Sequence, residues 1–191
     1  MATKKKLLQA AAGSAGGAGG LNVEEVFSTY VYEGTGAVRS INNGIDLDGE
    51  GGLVWFKTRS NAYDNELVDT ERGAGYVLSS NQTYASTTQD VDHVTSFNSD
   101  GFTMGADNGC NYSGRTFASW TFRKAPKFFD VVTYTGNGTA GRTVSHNLGT
   151  DIGFMVIKQT SASGEPFFIS FLFFKIKFLF NLKNFLSCQE V

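Results

Sequence analysis

Proline is nearly missing from this chain, with two residues in 191, and no Gly-X-Y period runs through its 23 glycines, so a collagen-like rod is excluded. Cysteine is as scarce. Two residues cannot staple a chain of this length, which excludes a disulfide framework. Charged residues make up only 18%, below the usual ~25%, whereas a disordered chain is rich in charge and poor in aromatics. A net charge of −2 gives no general reason to expect nucleic acid as a partner. What is abundant is aromatic residue, at 14%, and glycine, at about 12% against a usual ~7%. The balance describes a soluble, glycine-rich β chain, with room for one ordinary domain or two small ones.

These averages combine three unlike pieces. Residues 1–20 carry Lys4-Lys5-Lys6, a thin apolar stretch broken by Gln9, and then mostly Gly and Ala. Two leucines are too few for the core of a secretory signal, so the segment reads as a short frayed helix leading into a flexible linker. At the other end, eight of the 17 phenylalanines crowd into Phe167–Leu186. That stretch is long enough to span a bilayer, but it contains Lys175, Lys177, Asn181, Lys183 and Asn184, and each mid-membrane lysine costs about 2.5–3.5 kcal/mol. Nor does a clean polar face appear at helical spacing, as an interfacial helix requires. Phe, Leu, Ile, Lys and Asn are the residues of A/T-rich codons, and residues 167–191 read as a frameshifted or non-coding translation, not native to the domain. No membrane partner is expected. Setting aside the three lysines at each end and Glu190 leaves a body of 10 basic and 17 acidic residues, which further disfavours nucleic acid.

The body, Leu21–Pro166, reads as strands and tight turns. Phe27–Tyr32, Gly52–Arg59, Phe128–Tyr134 and Phe154–Lys158 are rich in β-branched and aromatic residues and bounded by turn formers. Ser96-Phe97 and Phe102–Met104 flank Asn98-Ser99-Asp100-Gly101, a hairpin turn in which Asp-Gly tolerates positive φ. Arg115–Lys124 alternates, placing Ala118, Trp120 and Phe122 on an apolar face and Ser119, Thr121 and Arg123 on the other. No convincing amphipathic helix exceeds three turns. The expected fold class is all-β, a jelly-roll or β-sandwich.

The pattern also repeats. Phe27–Gly36 resembles Phe129–Gly138, Arg39-Ser40-Ile41 matches Arg142-Thr143-Val144, and Gly52–Lys57 matches Gly153–Lys158. Three blocks in the same order, offset by about 100 residues, predict a duplication. The expected organisation is a first β-sandwich unit over 21–128 and a partial second unit over 129–166, cut off where the tail begins.

Chemistry is sparse. Nucleophilic catalysis needs a base beside the nucleophile, and the two histidines lie in ordinary settings: His93 at a strand edge and His146 in a turn, at a position matching Asn43 of the other copy. Cys110 has no second cysteine at metal-ligand spacing and reads as a free surface or half-buried thiol, while Cys188 belongs to the tail. Asp46-Leu47-Asp48-Gly49-Glu50 is the best cation candidate, because alternate carboxylates can converge on Ca²⁺. It lacks the other ligands of an EF-hand loop and reads as a solvated acidic turn, and Asp90-Val91-Asp92 is weaker still. The Gly34-x-Gly36 and Gly49–Gly52 runs open no helix and are not phosphate loops. Trp55 and Trp120 have the chemistry to stack on sugars but alternate into apolar faces and read as core. No catalytic residue, cofactor or metal is assigned.

Four blocks carry a family resemblance: Gly51–Ser60 (Gly-Gly-Leu-Val-Trp-Phe-Lys-Thr-Arg-Ser), Asp69–Gly75 (Asp-Thr-Glu-Arg-Gly-Ala-Gly), Thr95–Gly105 and Ala118–Pro126. They resemble a family of repeat-built virion proteins of marine tailed phages with concanavalin- or laminin-G-like jelly-roll character. Phe128–Gly138 and His146–Gly149 are similar to its inter-repeat stretch, and Lys4–Gly13 to its N-terminus. After Pro166, where the family continues with a Trp/Tyr-containing strand, this sequence departs from it. The resemblance implies a non-enzymatic virion component, a tail-fibre or tail-tip protein in host-surface recognition. Its partners would be other virion proteins, further copies of itself and a host-surface glycan. The alternative is a lectin-like carbohydrate-binding module, which shares the fold and differs only in context.

Overall fold

The computed structural model describes residues 21–87 and 89–164, together with the backbone of 167–170. The expected N-terminal helix and linker, and the tail beyond residue 170, lie outside the described residues. A single helical turn, α1 (Val23–Val26), opens the described chain, with the Asn22 side chain accepting from the Glu24 amide. All other regular elements are strands: β1 (Phe27–Glu33), β2 (Arg39–Asn42), β3 (Gly52–Thr58), β4 (Asn65–Asp69), β5 (Leu78–Ser79), β6 (Val94–Asn98), β7 (Gly101–Met104), β8 (Thr116–Arg123), β9 (Phe154–Ile157) and β10 (Phe167–Ser170). Among the described residues no helix is long and apolar enough to cross a membrane.

The fold is an all-β sandwich. A five-stranded sheet in the order β1-β8-β3-β4-β5 faces a three-stranded sheet in the order β2-β7-β6, and all pairings are antiparallel. Val54, Phe56, Val68 and Phe117 from the first meet Ile41, Val94, Phe102 and Met104 from the second in one buried cluster. At its centre Phe56 and Phe102 lie edge to face with ring centroids 5.4 Å apart. The β6–β7 hairpin turns at Gly101, whose φ of 151° and approach to Ile41 leave no room for a side chain: an added Cβ would sit 1.9 Å from the Ile41 carbonyl oxygen.

Two expectations need correction. On β8 the core-facing side is Phe117, Ser119 and Thr121, all at 0% exposure, not the apolar-looking Trp120 and Phe122. The small Ser119 and Thr121 lie directly opposite the buried Phe56 and Val54 of the neighbouring strand β3, and Thr121 Oγ1 accepts from Asn43 Nδ2 at 2.8 Å. Trp120 and Trp55, directly paired across β8 and β3, make an edge-to-face contact at 6.1 Å on the outer, half-buried face. They are not core residues. Second, Phe128–Tyr134 forms no strand; only an isolated bridge joins Ala125 to Phe129, and Val132 and Tyr134 are exposed.

Of the other two second-copy blocks, Arg142-Thr143-Val144 forms no strand and Gly153–Lys158 supplies β9, which pairs with β10 in a separate hairpin, with Phe167 opposite Ile157 and Ser170 opposite Phe154. The boundary expected at residue 167 therefore falls at the start of a paired strand. The segment leading out of β9 reaches the first unit through its backbone: Ser86 N donates to Thr160 O at 3.0 Å and Gly164 N to Thr83 O at 2.6 Å.

Candidate functional site

The loops between β1 and β2, β3 and β4, and β7 and β8 gather at one end of the sandwich, where Gly34 N bonds Arg115 O and Arg59 N bonds Thr116 O. Asn111 fastens this end. Fully buried, it donates from Nδ2 to the carbonyls of Ala37 (2.7 Å) and Gly105 (2.6 Å) and accepts the Thr35 amide on Oδ1 (2.9 Å). Beneath it the Tyr32 hydroxyl donates to the Cys110 carbonyl at 2.6 Å. Burial raises the Tyr32 hydroxyl far above the ordinary phenol range.

Inside this end four side chains of unlike chemistry converge. Glu66 projects from β4 on the core side, opposite Phe56 of β3. His93, the residue before β6, stands edge-on to the Phe56 ring at 5.3 Å and is 1% exposed. Its Nε2 lies 3.0 Å from Glu66 Oε2 and 3.9 Å from Asp107 Oδ1, while its Nδ1 is buried without a hydrogen-bond partner. Asp107 and the fully buried Cys110 come from the β7–β8 loop, where Asp107 Oδ1 accepts the Gly109 amide at 2.7 Å. One ligating atom each of His93, Asp107 and Cys110 lies within 4.8 Å of the others. Gly109 lets the Glu66 carboxylate come close: an added Cβ would fall 1.8 Å from Glu66 Oε2 and make that side chain move. Burial pushes the Cys110 thiol well above its ordinary range, and the charges of Asp107 and Glu66 push the same way. At the rim, Arg115 stacks on the Tyr112 ring at 4.0 Å, and the Tyr63 hydroxyl is raised by burial and then by Glu66 and Asp107.

A family model described as Domain of unknown function (DUF7483) matches residues 23–171, more than three-quarters of the chain. The chain belongs to the DUF7483 domain family. No curated protein and no solved structure matches it. The matched span runs from α1 past β10, so in DUF7483 the sandwich and the second-copy segment fall within one family domain.

The residues singled out in the sequence are distributed over this DUF7483 domain unequally. His93 and Cys110 meet in the cluster; Cys110 is at 0% exposure, which corrects the expectation of a surface or half-buried thiol. His146 sits in its turn, where Nδ1 accepts the Leu148 amide at 3.2 Å, much as Asn43 Oδ1 accepts the Ile45 amide at 3.2 Å in the first copy. In the acidic turn, Asp46 Oδ1 is taken by the Gly49 amide at 2.8 Å and Glu50 pairs with Arg123 at 3.4 Å, while Asp48 is exposed. Asp90 Oδ1 accepts the Asp92 amide at 2.9 Å. Away from the cluster, a shallow cleft of about 130 Å³ lies between Glu50, Lys124, Pro126, Phe129 and Asn147, far smaller than a typical ligand site of ~300–1,000 Å³. Glu66 and Asp107 were not singled out. The one local signal is Asp107-Asn108-Gly109-Cys110, two donor residues separated by two across a glycine turn.

Proposed function

We propose that this protein is a virion component of a tailed phage, a tail-fibre or tail-tip element that displays a jelly-roll unit for host-surface recognition. The observation that carries the reading is the resemblance of Gly51–Ser60, Asp69–Gly75, Thr95–Gly105 and Ala118–Pro126 to repeat-built virion proteins of marine tailed phages. In the fold these blocks are framework. They supply β3, the turn after β4 in which Arg72 Nε is held by buried Asp69 at 2.6 Å, the β6–β7 hairpin and β8. The intervening stretches are mostly loops, the part of a β-sandwich free to vary for recognition. The nested pairing of β1 with β8 and β2 with β7 supports the jelly-roll reading. Mass spectrometry of purified particles tests the role: the protein is expected among the virion components, and its absence from them overturns the reading.

A lectin-like module is the second reading, favoured by Tyr63, Tyr84 and Tyr112, exposed by 37%, 42% and 43% on loops. It predicts glycan-array binding that Tyr63→Ala and Tyr112→Ala abolish without altering the melting temperature. Silence across glycans from virion-associated protein leaves the structural role alone.

A further inference from the structure

We propose that His93, Asp107 and Cys110 bind a zinc-class divalent cation, with Glu66 orienting the imidazole. The proposal is independent of the virion reading. Three lines of geometry and chemistry carry it.

The first is spacing. Zinc bond lengths of ~2.0–2.3 Å put the ligand atoms of a tetrahedral site roughly 3.3–3.8 Å apart. One donor atom each of the imidazole, the Asp107 carboxylate and the Cys110 thiol already lies within 4.8 Å of the others. Small side-chain rotations close the remaining gap. The second is hydrogen-bond accounting. His93 is 1% exposed, with one ring nitrogen held by Glu66 at 3.0 Å and the other without a partner. A buried orphan nitrogen is costly in either tautomer, whereas a metal on it completes the carboxylate–histidine–metal arrangement that fixes ring orientation in metal sites. The third is charge. Among the described residues neither Glu66 nor Asp107 forms an ion pair with lysine or arginine, so two carboxylates and a thiol converge on His93 alone. A divalent cation offsets that excess.

The donor set selects the ion. Sulfur and imidazole nitrogen suit zinc and its relatives, whereas Ca²⁺ and Mg²⁺ take oxygen. On binding, the Cys110 thiol transfers its proton to solvent and ligates as thiolate. The Asp107 and Glu66 side chains are 23% and 12% exposed, so the ion enters from the carboxylate side and water completes its coordination. The bound ion ties the approach to β6 to the β7–β8 loop, which carries Tyr112 and Arg115 at the rim.

The test is cobalt titration of the untagged, chelator-dialysed full chain. One equivalent of Co²⁺ is expected to bind with tetrahedral visible bands and a thiolate-to-metal absorption in the near ultraviolet, both removed by added Zn²⁺. Cys110→Ser should lose the thiolate absorption and Cys188→Ser keep it. Asp107→Asn and Glu66→Gln should weaken binding about 10–100-fold, with circular dichroism reporting on folding. Folded wild-type protein that takes up no stoichiometric Co²⁺ or Zn²⁺ overturns the proposal. So does uptake without a thiolate band, or a band lost in Cys188→Ser. If the Cys110 variant does not fold, the wild-type and Cys188→Ser spectra decide.

Discussion

The stretches 27–45 and 129–148 carry matching sequence blocks and share local contacts, yet only the first is built into sheets. Arg39 lies over the Tyr32 ring at 5.4 Å and Arg142 over the Tyr134 ring at 5.5 Å. Each arginine also donates to the carbonyl of the residue after its tyrosine, Glu33 or Thr135. What differs is the partner strand. β1 pairs with β8 along all seven residues and β2 with β7, both far along the chain, whereas, among the described residues, 129–148 pair with no strand. Contacts between near neighbours thus survive without a sheet, but strands need their distant partner.

The most severe way to break the comparison is to remove equivalent side chains from β3 and β9. Phe56→Ala is expected to cost about 3–5 kcal/mol, because Phe56 is fully buried against Phe102 and His93. Ile157→Ala, at the matching half-buried position, should cost about 1 kcal/mol or less in urea unfolding. Equal losses would show that the second copy has a core of its own.

Next is the loop end. Asn111→Ala strands the buried Gly105 carbonyl and releases the Thr35 amide and the Ala37 carbonyl of two exposed residues, and should cost about 2–3 kcal/mol in the same assay. Smaller again is Tyr32→Phe, which removes the bond to the Cys110 carbonyl and should cost about 1–2 kcal/mol, whereas Tyr134→Phe, half exposed, should change nothing measurable.

Tyr32 also sets an alkaline limit. Its folded-state pKa is raised by burial, so its stabilisation is complete below the unfolded phenol value of about 10 and is lost as pH rises above it. Unfolding followed from pH 8 to 11 should show that loss in wild type and a shallower one in Tyr32→Phe. The smallest effects belong to the arginines: Arg39→Ala and Arg142→Ala should each cost about 0.5–1 kcal/mol or less, the range of an exposed cation–π contact.

Much of the frame was legible. β1, β3, the β6–β7 hairpin, β8 and β9 announce themselves through β-branched and aromatic runs closed by turn residues. β4 and β5 do not: Asn65-Glu66-Leu67-Val68-Asp69 has three polar residues of five, and β5 has two residues, so β4 forms on the edge that β3 offers and β5 on the edge of β4. The inner face of β8 was misassigned for a related reason. Alternation shows that two faces differ, whereas the register with β3 decides which side turns inward, and it sets Ser119 and Thr121 opposite the buried Phe56 and Val54.

The cluster was the least legible feature. Residues 66, 93, 107 and 110 share no motif beyond Asp107-x-x-Cys110, and His93 and Cys110, weighed one at a time, have no partner near in sequence. By itself the amino-acid sequence determined an all-β chain with its turns, its duplicated blocks and an acidic body, because these depend on residue type and on neighbours within a few positions. Which face is buried, which of the two matching stretches is built into the sandwich and which four side chains meet at one end was decided by tertiary structure alone, since each depends on strand pairings that join residues tens of positions apart.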